Sequence, residues 1–500
     1  MGVRRLLTVI TTMLVIAACQ QAPAERLPPP RAECAPRDTR VVAPYPISGY
    51  WVTPDPDACR TRRTVEAMHR LGADTVIVSG PRLVPGAHAQ AGPEVERVFT
   101  YDAQEEFGPA LTSCPGRDRV EDGARLLFVP VEGTCESGRY DLIVVRSLGD
   151  GVGHLAREAA AFGMKLYSGL PAAPQDTAKP WLPDLSALRP LSVLTELILK
   201  DYQARYGTPP GLYQTFELAL RERHDNDPII DLYRAQHRVV AQTMPGATLL
   251  LSPYLDARRG RGYAPKLVAQ GMRDLASTRS GLPMVIAAQD SRGTGKVGVF
   301  TPDEAAAALD PNLEPIVGPG TNEQAYHGST RDYFLAASRT RLDGVELWMN
   351  LEVFEPSPQS GACTRPVQPQ RGRTVKDRVD RQLSAAAGLV AKVVSYAWDP
   401  YLTCAEDSRQ PLGEEIAARW SEPIVYSAAR SGDGLALRGH RLDGARITIS
   451  YRAAGGPFTT VEAVGAAWVP FAPADVDPRW PWIRVSAGNA TFSLRWDERL

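Results

Sequence analysis

The chain has almost no net charge: over 500 residues, 56 Lys and Arg stand against 57 Asp and Glu, a balance of −1. No basic stripe stands out, so no nucleic-acid partner is expected. Beyond the N-terminus there is no second long apolar run, and mean hydropathy is −0.22, so the body holds no candidate spanning helix. No C-x-x-C and no H-E-x-x-H occurs, and the seven histidines are scattered, so no metal site is expected. No strict internal repeat is present. Cysteine is scarce, with seven in all. What remains is ordinary globular composition, 44% apolar and 23% charged. The length suggests about two to four average domains, or fewer where a barrel is used.

The N-terminus is the exception. Arg4 and Arg5 precede an apolar run over 6–16, followed by Ile16-Ala17-Ala18-Cys19. A positive start, a short apolar core and small residues at the cut make a signal peptide over 1–18. Small residues directly before Cys19 resemble the lipobox of bacterial lipoproteins, in which that cysteine is acylated. The alternative is an ordinary secretory signal with a chance cysteine. The Pro-rich stretch within 19–43 reads as an extended tether. The expectation is an exported protein held to a bacterial membrane through Cys19, facing the periplasm or the cell exterior. Six cysteines remain, and in an oxidising compartment an even count reads as disulfides. Of the fifteen connectivities that six cysteines allow, sequential pairing is preferred: Cys34 with Cys59, Cys114 with Cys135, Cys363 with Cys404.

Along the body, short apolar strands alternate with helical stretches. The strands are expected at 47–52, 74–79, 164–170, 211–216, 248–254, 284–289, 345–352 and 393–398. Helical patterns lie between them, at 61–71, 152–162, 191–206, 229–243 and 266–277. Alternation of this kind implies a parallel sheet, and eight units imply an α/β fold of the (β/α)8 TIM-barrel type over 44–415. Two stretches depart from the repeat. Residues 81–146 form a long excursion in which 141–146 reads as a further strand, leaving the strand count open by one. Residues 355–375 form a Pro/Gln/Arg-rich loop. From about 421 to 500 the strands follow one another without helices, as in a small β-sandwich of immunoglobulin-like or carbohydrate-binding-like type.

In such a barrel the chemistry sits at the C-terminal ends of the strands. The fourth strand ends Tyr213-Gln214-Thr215-Phe216-Glu217 and the seventh ends Trp348-Met349-Asn350-Leu351-Glu352. Side chains two apart share a face, which groups Trp348, Asn350 and Glu352. Two carboxyl groups flanking a bond are what glycoside hydrolysis needs, one protonated and one ionised. Gln289, Asp290, Tyr254, Trp398 and Trp51 end or flank other strands and complete a candidate substrate-binding set with Tyr213, Trp348 and Asn350. Most of these have a plainer reading. Glu217 suits the first turn of a helix, Glu352 a structural ion pair, Asp290 a turn cap into Ser291-Arg292-Gly293, and the aromatics core packing. Asp225-Asn226-Asp227 looks calcium-like but reads better as a helix-capping turn before Pro228.

The pairing of strand-four and strand-seven carboxylates resembles the clan A glycoside hydrolases. More closely, Ile47-Ser48-Gly49-Tyr50-Trp51, Gly72-Ala73-Asp74-Thr75-Val76-Ile77, Ala288-Gln289-Asp290 and Trp348-Met349-Asn350-Leu351-Glu352-Val353-Phe354 resemble the bacterial family called domain of unknown function 4434. That family is regarded as a glycoside-hydrolase-like barrel. The resemblance covers roughly 45–402 and implies Glu217 as acid/base and Glu352 as nucleophile of a retaining reaction. It implies no cofactor. One position departs: clan A enzymes commonly carry Asn before the strand-four Glu, to hold the sugar's 2-hydroxyl, where this chain has Phe216. The expected activity is hydrolysis of an extracellular or cell-envelope polysaccharide by a monomer. The alternatives are a non-catalytic glycan-binding lipoprotein, such as a scaffold in exopolysaccharide assembly or export, and a purely structural surface protein.

Overall fold

A computed structural model describes residues 34–89, 91–207, 211–224, 226–357, 371–405, 409–464, 468–471 and 476–496. Eight strands close into a barrel. They are β1 (Gly49–Trp51), β2 (Thr75–Ile77), β3 (Lys165–Gly169), β4 (Gly211–Gln214), β5 (Thr248–Leu251), β6 (Met284–Gln289), β7 (Val345–Glu352) and β8 (Lys392–Tyr396). All eight fall within or within one residue of the expected segments. Each pairs in parallel with its neighbours, and β8 closes on β1 through Tyr50 and Ser395. Strands covered on both faces are apolar throughout; Leu249, Leu250 and Leu251 of β5 are all fully buried.

A helix follows each strand: α1 (Ala58–Arg70), α2 (Gly151–Ala161), α3 (Leu188–Tyr206), α4 (Pro228–Thr243), α5 (Val268–Ala276), α6 (Thr330–Ser338), α7 (Lys376–Ala386) and α8 (Leu412–Arg419). Local chemistry starts them. Asp57 accepts the Cys59 and Arg60 amides at the head of α1, at 2.8 and 2.9 Å. Asp227 accepts the Ile229 amide at the head of α4, just before Pro228, which is the capping role read from the sequence. Asp225 lies outside the described residues.

The excursion between β2 and α2 resolves the open strand count. It builds its own five-stranded sheet, in which Tyr140–Ser147 pairs in parallel with Val95–Ala103 and not with any barrel strand. A Cys114–Cys135 disulfide staples it, and a Cys34–Cys59 disulfide ties the N-terminal segment to α1. Cys404 is disulfide-bonded; Cys363, its expected partner, lies outside the described residues, as does Cys19. No helix among the described residues is long and apolar enough to cross a membrane.

After α8 the chain forms a three-stranded and a four-stranded antiparallel sheet. Trp468–Pro470, not anticipated, completes the smaller one. Alternate residues of the two sheets, such as Leu435, Ile447, Ile449, Ile483 and Val485, fill a core separate from the barrel's. The unit packs against α7, where the Ser384 hydroxyl donates to the Val425 carbonyl at 2.7 Å. Arg484 meets Asp303 at 2.8 Å.

Candidate active site

The barrel interior is layered, and the layer decides what each inward side chain does. At the N-terminal end, Trp348 of β7 meets Tyr167 of β3, the rings 5.9 Å apart. These strands are not neighbours, so the contact crosses the barrel axis. Gly211 makes room for it, because a Cβ there would lie 2.1 Å from the Tyr167 ring. Trp348 is 5% exposed, and its indole donates to Glu346 at 2.7 Å. It plugs the floor of the barrel and is not brought to the mouth. Asn350, one layer up, is buried and donates to the Ser252 hydroxyl at 2.9 Å.

The next layer is aromatic. Trp51 of β1 packs edge-on to Tyr213 of β4 at 5.6 Å and lies beside Tyr396 at 6.4 Å. Both Trp51 and Tyr213 are buried, so they make a floor and not an open platform. The Tyr213 hydroxyl stands 3.4 Å from Oε1 of Glu217.

Glu217 therefore sits above that floor. Its side chain opens onto a cavity of about 590 Å³ walled by the loops after β2 to β5. Protein surrounds it on the remaining sides, and this burial raises its pKa despite a hydrogen bond from Gln289 and the positive charge of Lys296. The Glu352 charge also raises it. Gln289 holds its place by donating to the Ser252 carbonyl at 2.8 Å. Tyr254 lines the same cavity, and the Lys296 ammonium lies 3.5 Å from its ring centroid.

Glu352 is held differently. It is 4% exposed, and its Oε2 accepts the Thr294 amide at 2.8 Å and the Thr294 hydroxyl at 3.3 Å. The loop after β6 delivers this clamp. Gly293 lies so close to Phe354 that a Cβ would come within 2.5 Å of its ring, and Gly295 takes a φ of +68°. Burial raises the Glu352 pKa, opposed by the Thr294 amide, Arg371 and Lys296.

Asp290 stands beneath Glu352 and is fully buried. It accepts the Glu352 amide at 3.1 Å, the Arg292 amide at 3.2 Å and the Gln382 side-chain amide at 2.6 Å. It thus caps the turn and fixes the end of β7 instead of facing the cavity. Burial, then the neighbouring Glu352 charge, holds its pKa well above the carboxylate range. Trp398 is also outside the mouth. It packs edge-on to Tyr50 at 4.9 Å and faces a groove between α1 and α8.

The structure thus brings together Glu217, Glu352, Tyr213, Tyr254, Gln289 and Trp51, and leaves Trp348, Asn350, Asp290 and Trp398 in supporting positions. Sequence reasoning missed four contributors. Thr294 and Lys296 come from the loop after β6, where Gly293-Thr294-Gly295-Lys296 was the available signal. Arg371 lies in a two-stranded antiparallel ladder, Phe354–Pro356 with Arg371–Arg373. Trp181, 68% exposed at the cavity lip, stands in the loop Pro180-Trp181-Leu182-Pro183.

The family model described as Domain of unknown function (DUF4434) matches residues 137–408, more than half of the chain. No curated protein matches. Among solved structures, a candidate alpha-L-fucosidase from Bacteroides thetaiotaomicron is 14% identical, with a TM-score of 0.43 over 78% of this chain and 98% of that one. A glycoside hydrolase family 5 protein from Bacteroides vulgatus is 11% identical, with a TM-score of 0.37 over 90% and 86%. The endo-beta-1,4-mannanase from Thermotoga petrophila is 10% identical, with a TM-score of 0.32 over 91% and 97%. At such distances the barrel rests on its own strand pairing.

Proposed function

The chain belongs to the family described as domain of unknown function DUF4434, and from that premise we propose that it is a retaining glycoside hydrolase with Glu352 as nucleophile and Glu217 as acid/base. The observation that carries the reading is the placing of two carboxyls just after β4 and at the end of β7, one open to a cavity beside the Tyr213 hydroxyl and one clamped by an amide. A raised pKa suits Glu217 to give a proton. The Thr294 clamp, Lys296 and Arg371 favour the ionised form of Glu352. In the first step Glu352 attacks the anomeric carbon, while Glu217 protonates the departing glycosidic oxygen and the C–O bond breaks. In the second, Glu217 takes a proton from water, whose oxygen displaces Glu352 from the anomeric carbon. This mechanism wants the carboxyls about 5–5.5 Å apart. Lipid attachment through Cys19 would put the enzyme at the cell's own surface, acting on envelope or extracellular polysaccharide.

A second reading is a non-catalytic glycan-binding lipoprotein. Phe216 in place of the usual Asn favours it, together with the 4% exposure of Glu352. Incubating the full chain with envelope and exopolysaccharide fractions and assaying reducing ends separates the two. Release that is lost in Glu352→Gln is expected; binding with no release from any fraction supports the second reading.

A further inference from the structure

The cavity beside Glu217 carries an imbalance of charge that hydrolysis alone does not require. Arg82, Arg221, Arg223 and Arg261 line it, with Glu217, Asp227 and Asp256 as the acids. Two of those acids are already engaged. Asp227 pairs with Arg223 at 3.0 Å, and Asp256 takes both arms of Arg258, at 2.9 and 2.7 Å. Arg82, Arg221 and Arg261 are left with no carboxylate partner among the described residues, against Glu217 alone. Arg82 donates to the Ala173 carbonyl at 2.8 Å and lies 5.6 Å from the Phe216 ring centroid. The residue standing where Asn would hold a hydroxyl thus presents a ring to a guanidinium. Arg223 has an 8% exposed side chain, and its Nε has no partner. At the lip, the Trp181 ring is open to solvent.

Each feature costs something in the free protein. Three guanidinium groups without a carboxylate partner share one cavity, a buried N–H lacks an acceptor, and an indole faces water. A ligand with an oxyanion on a sugar ring would relieve the first and the last. Guanidinium forks match carboxylate and sulfate oxygens in pairs, and a pyranose C–H face packs on an indole. A net excess of about two positive charges fits a single negative charge per sugar.

We infer that the glycan this cavity takes is acidic, its sugars bearing a single negative charge as a carboxylate or a sulfate ester, read by Arg221, Arg261 and Arg82 with Trp181 as the stacking face. The inference rests on the hydrolase reading for the site but concerns recognition, so it has its own test. The full chain is titrated at low and at 0.5 M salt with polygalacturonate, alginate, dextran sulfate and carboxyl-reduced polygalacturonate, alongside an R221Q/R261Q variant. Both arginines are exposed, and their side chains make no hydrogen bond or ion pair among the described residues, so the variant should melt where the parent does. Expected is binding of an acidic glycan at least about tenfold tighter than of the reduced polymer, a further loss of about tenfold in the variant for the acidic glycan only, and weakening by salt. Polyuronate arms assign the anion as carboxylate and the dextran sulfate arm as sulfate. Equal affinity for the reduced polymer, no loss in R221Q/R261Q, or no binding to any acidic glycan overturns the inference. Reducing ends measured in the same tubes keep the readings apart. Cleavage of neutral glycans without acidic preference sinks this inference and leaves the hydrolase, whereas acidic binding without cleavage does the reverse.

Discussion

Glu217, at the end of β4, opens into a cavity and takes loose support: a 3.4 Å contact from Tyr213 and a hydrogen bond from Gln289. Glu352, at the end of β7, is 4% exposed, and its carboxylate and backbone amide are fastened to Thr294 and Asp290. Both carboxyls are raised in pKa by burial, but among the described residues only Glu352 receives a backbone N–H. An amide donor favours a fixed anion, and an open site favours proton exchange. On the proposed reading, the two rims of one mouth serve different halves of the same reaction.

The comparison breaks most sharply at Glu352. Glu352→Gln keeps the shape and removes the nucleophile, so kcat/KM should fall about 10³-fold or more. Retention of most activity would leave Glu352 as a structural acid. Glu217→Gln should cost about 10²-fold on unactivated glycosides. The loss should shrink on aryl glycosides with good leaving groups, which need no proton. The pH profile adds a sign. Glu217 must be protonated at the first step, so activity falls as pH rises through its raised pKa, and Glu217→Gln should flatten that alkaline limb. If the acid limb disappears instead, the roles are exchanged.

Most of the scaffold could be read from the sequence because β5, β6 and their companions are apolar on both faces and bounded by turns. Residues 140–147 carry the same signature, yet they belong to another sheet, because an apolar run does not say which strand it pairs with. Within β7, side-chain parity correctly put Trp348, Asn350 and Glu352 on one face. Parity carries no height, however, and only Glu352 reaches the mouth while Trp348 crosses the barrel to Tyr167. Thr294 reaches Glu352, and Arg371 brings its charge to bear on it, through loop geometry that no local pattern encodes. Trp181 was overlooked because nothing periodic marks a tryptophan between two prolines.

Asp290→Asn sharpens the comparison from beneath Glu352. Asn keeps one acceptor, but its NH2, unlike the oxygen of a carboxyl OH, cannot accept from the Gln382 amide. Gln382 can answer by flipping, since its own Oε1 has no partner, at the loss of its 3.0 Å bond to the Glu352 carbonyl. A cost of about 1 kcal/mol in unfolding free energy is expected. The wild-type pKa rises from 3.8 in the free side chain to about 7 in the fold. The stability Asp290 contributes is therefore full below about pH 4 and lost as pH rises through about 7. Denaturant titrations across that window should show Asp290→Asn furthest below wild type in acid, with the gap closing towards neutrality. A gap that widens with pH would mean that Asp290 is held as an anion. On the Glu217 side, Trp181→Ala should raise KM about fivefold and leave kcat nearly unchanged, the mark of a stacking surface remote from the bond being cut.

The smallest effect belongs to Thr294→Val, which divides the Glu352 clamp into its parts. Valine is nearly isosteric and leaves the backbone N–H at 2.8 Å, removing the hydroxyl whose one proton is shared between Glu352 at 3.3 Å and the Ser291 carbonyl at 3.2 Å. If the amide supplies most of the support for the anion, kcat/KM should drop about threefold, and the acid limb of the profile should move to higher pH as Glu352 becomes easier to protonate. Glu217 has no such amide, so the alkaline limb should stay where it is. A shift of both limbs together would show instead that Thr294 acts on the shared charge of the pair, and the two rims would then be one coupled unit rather than two separately built groups.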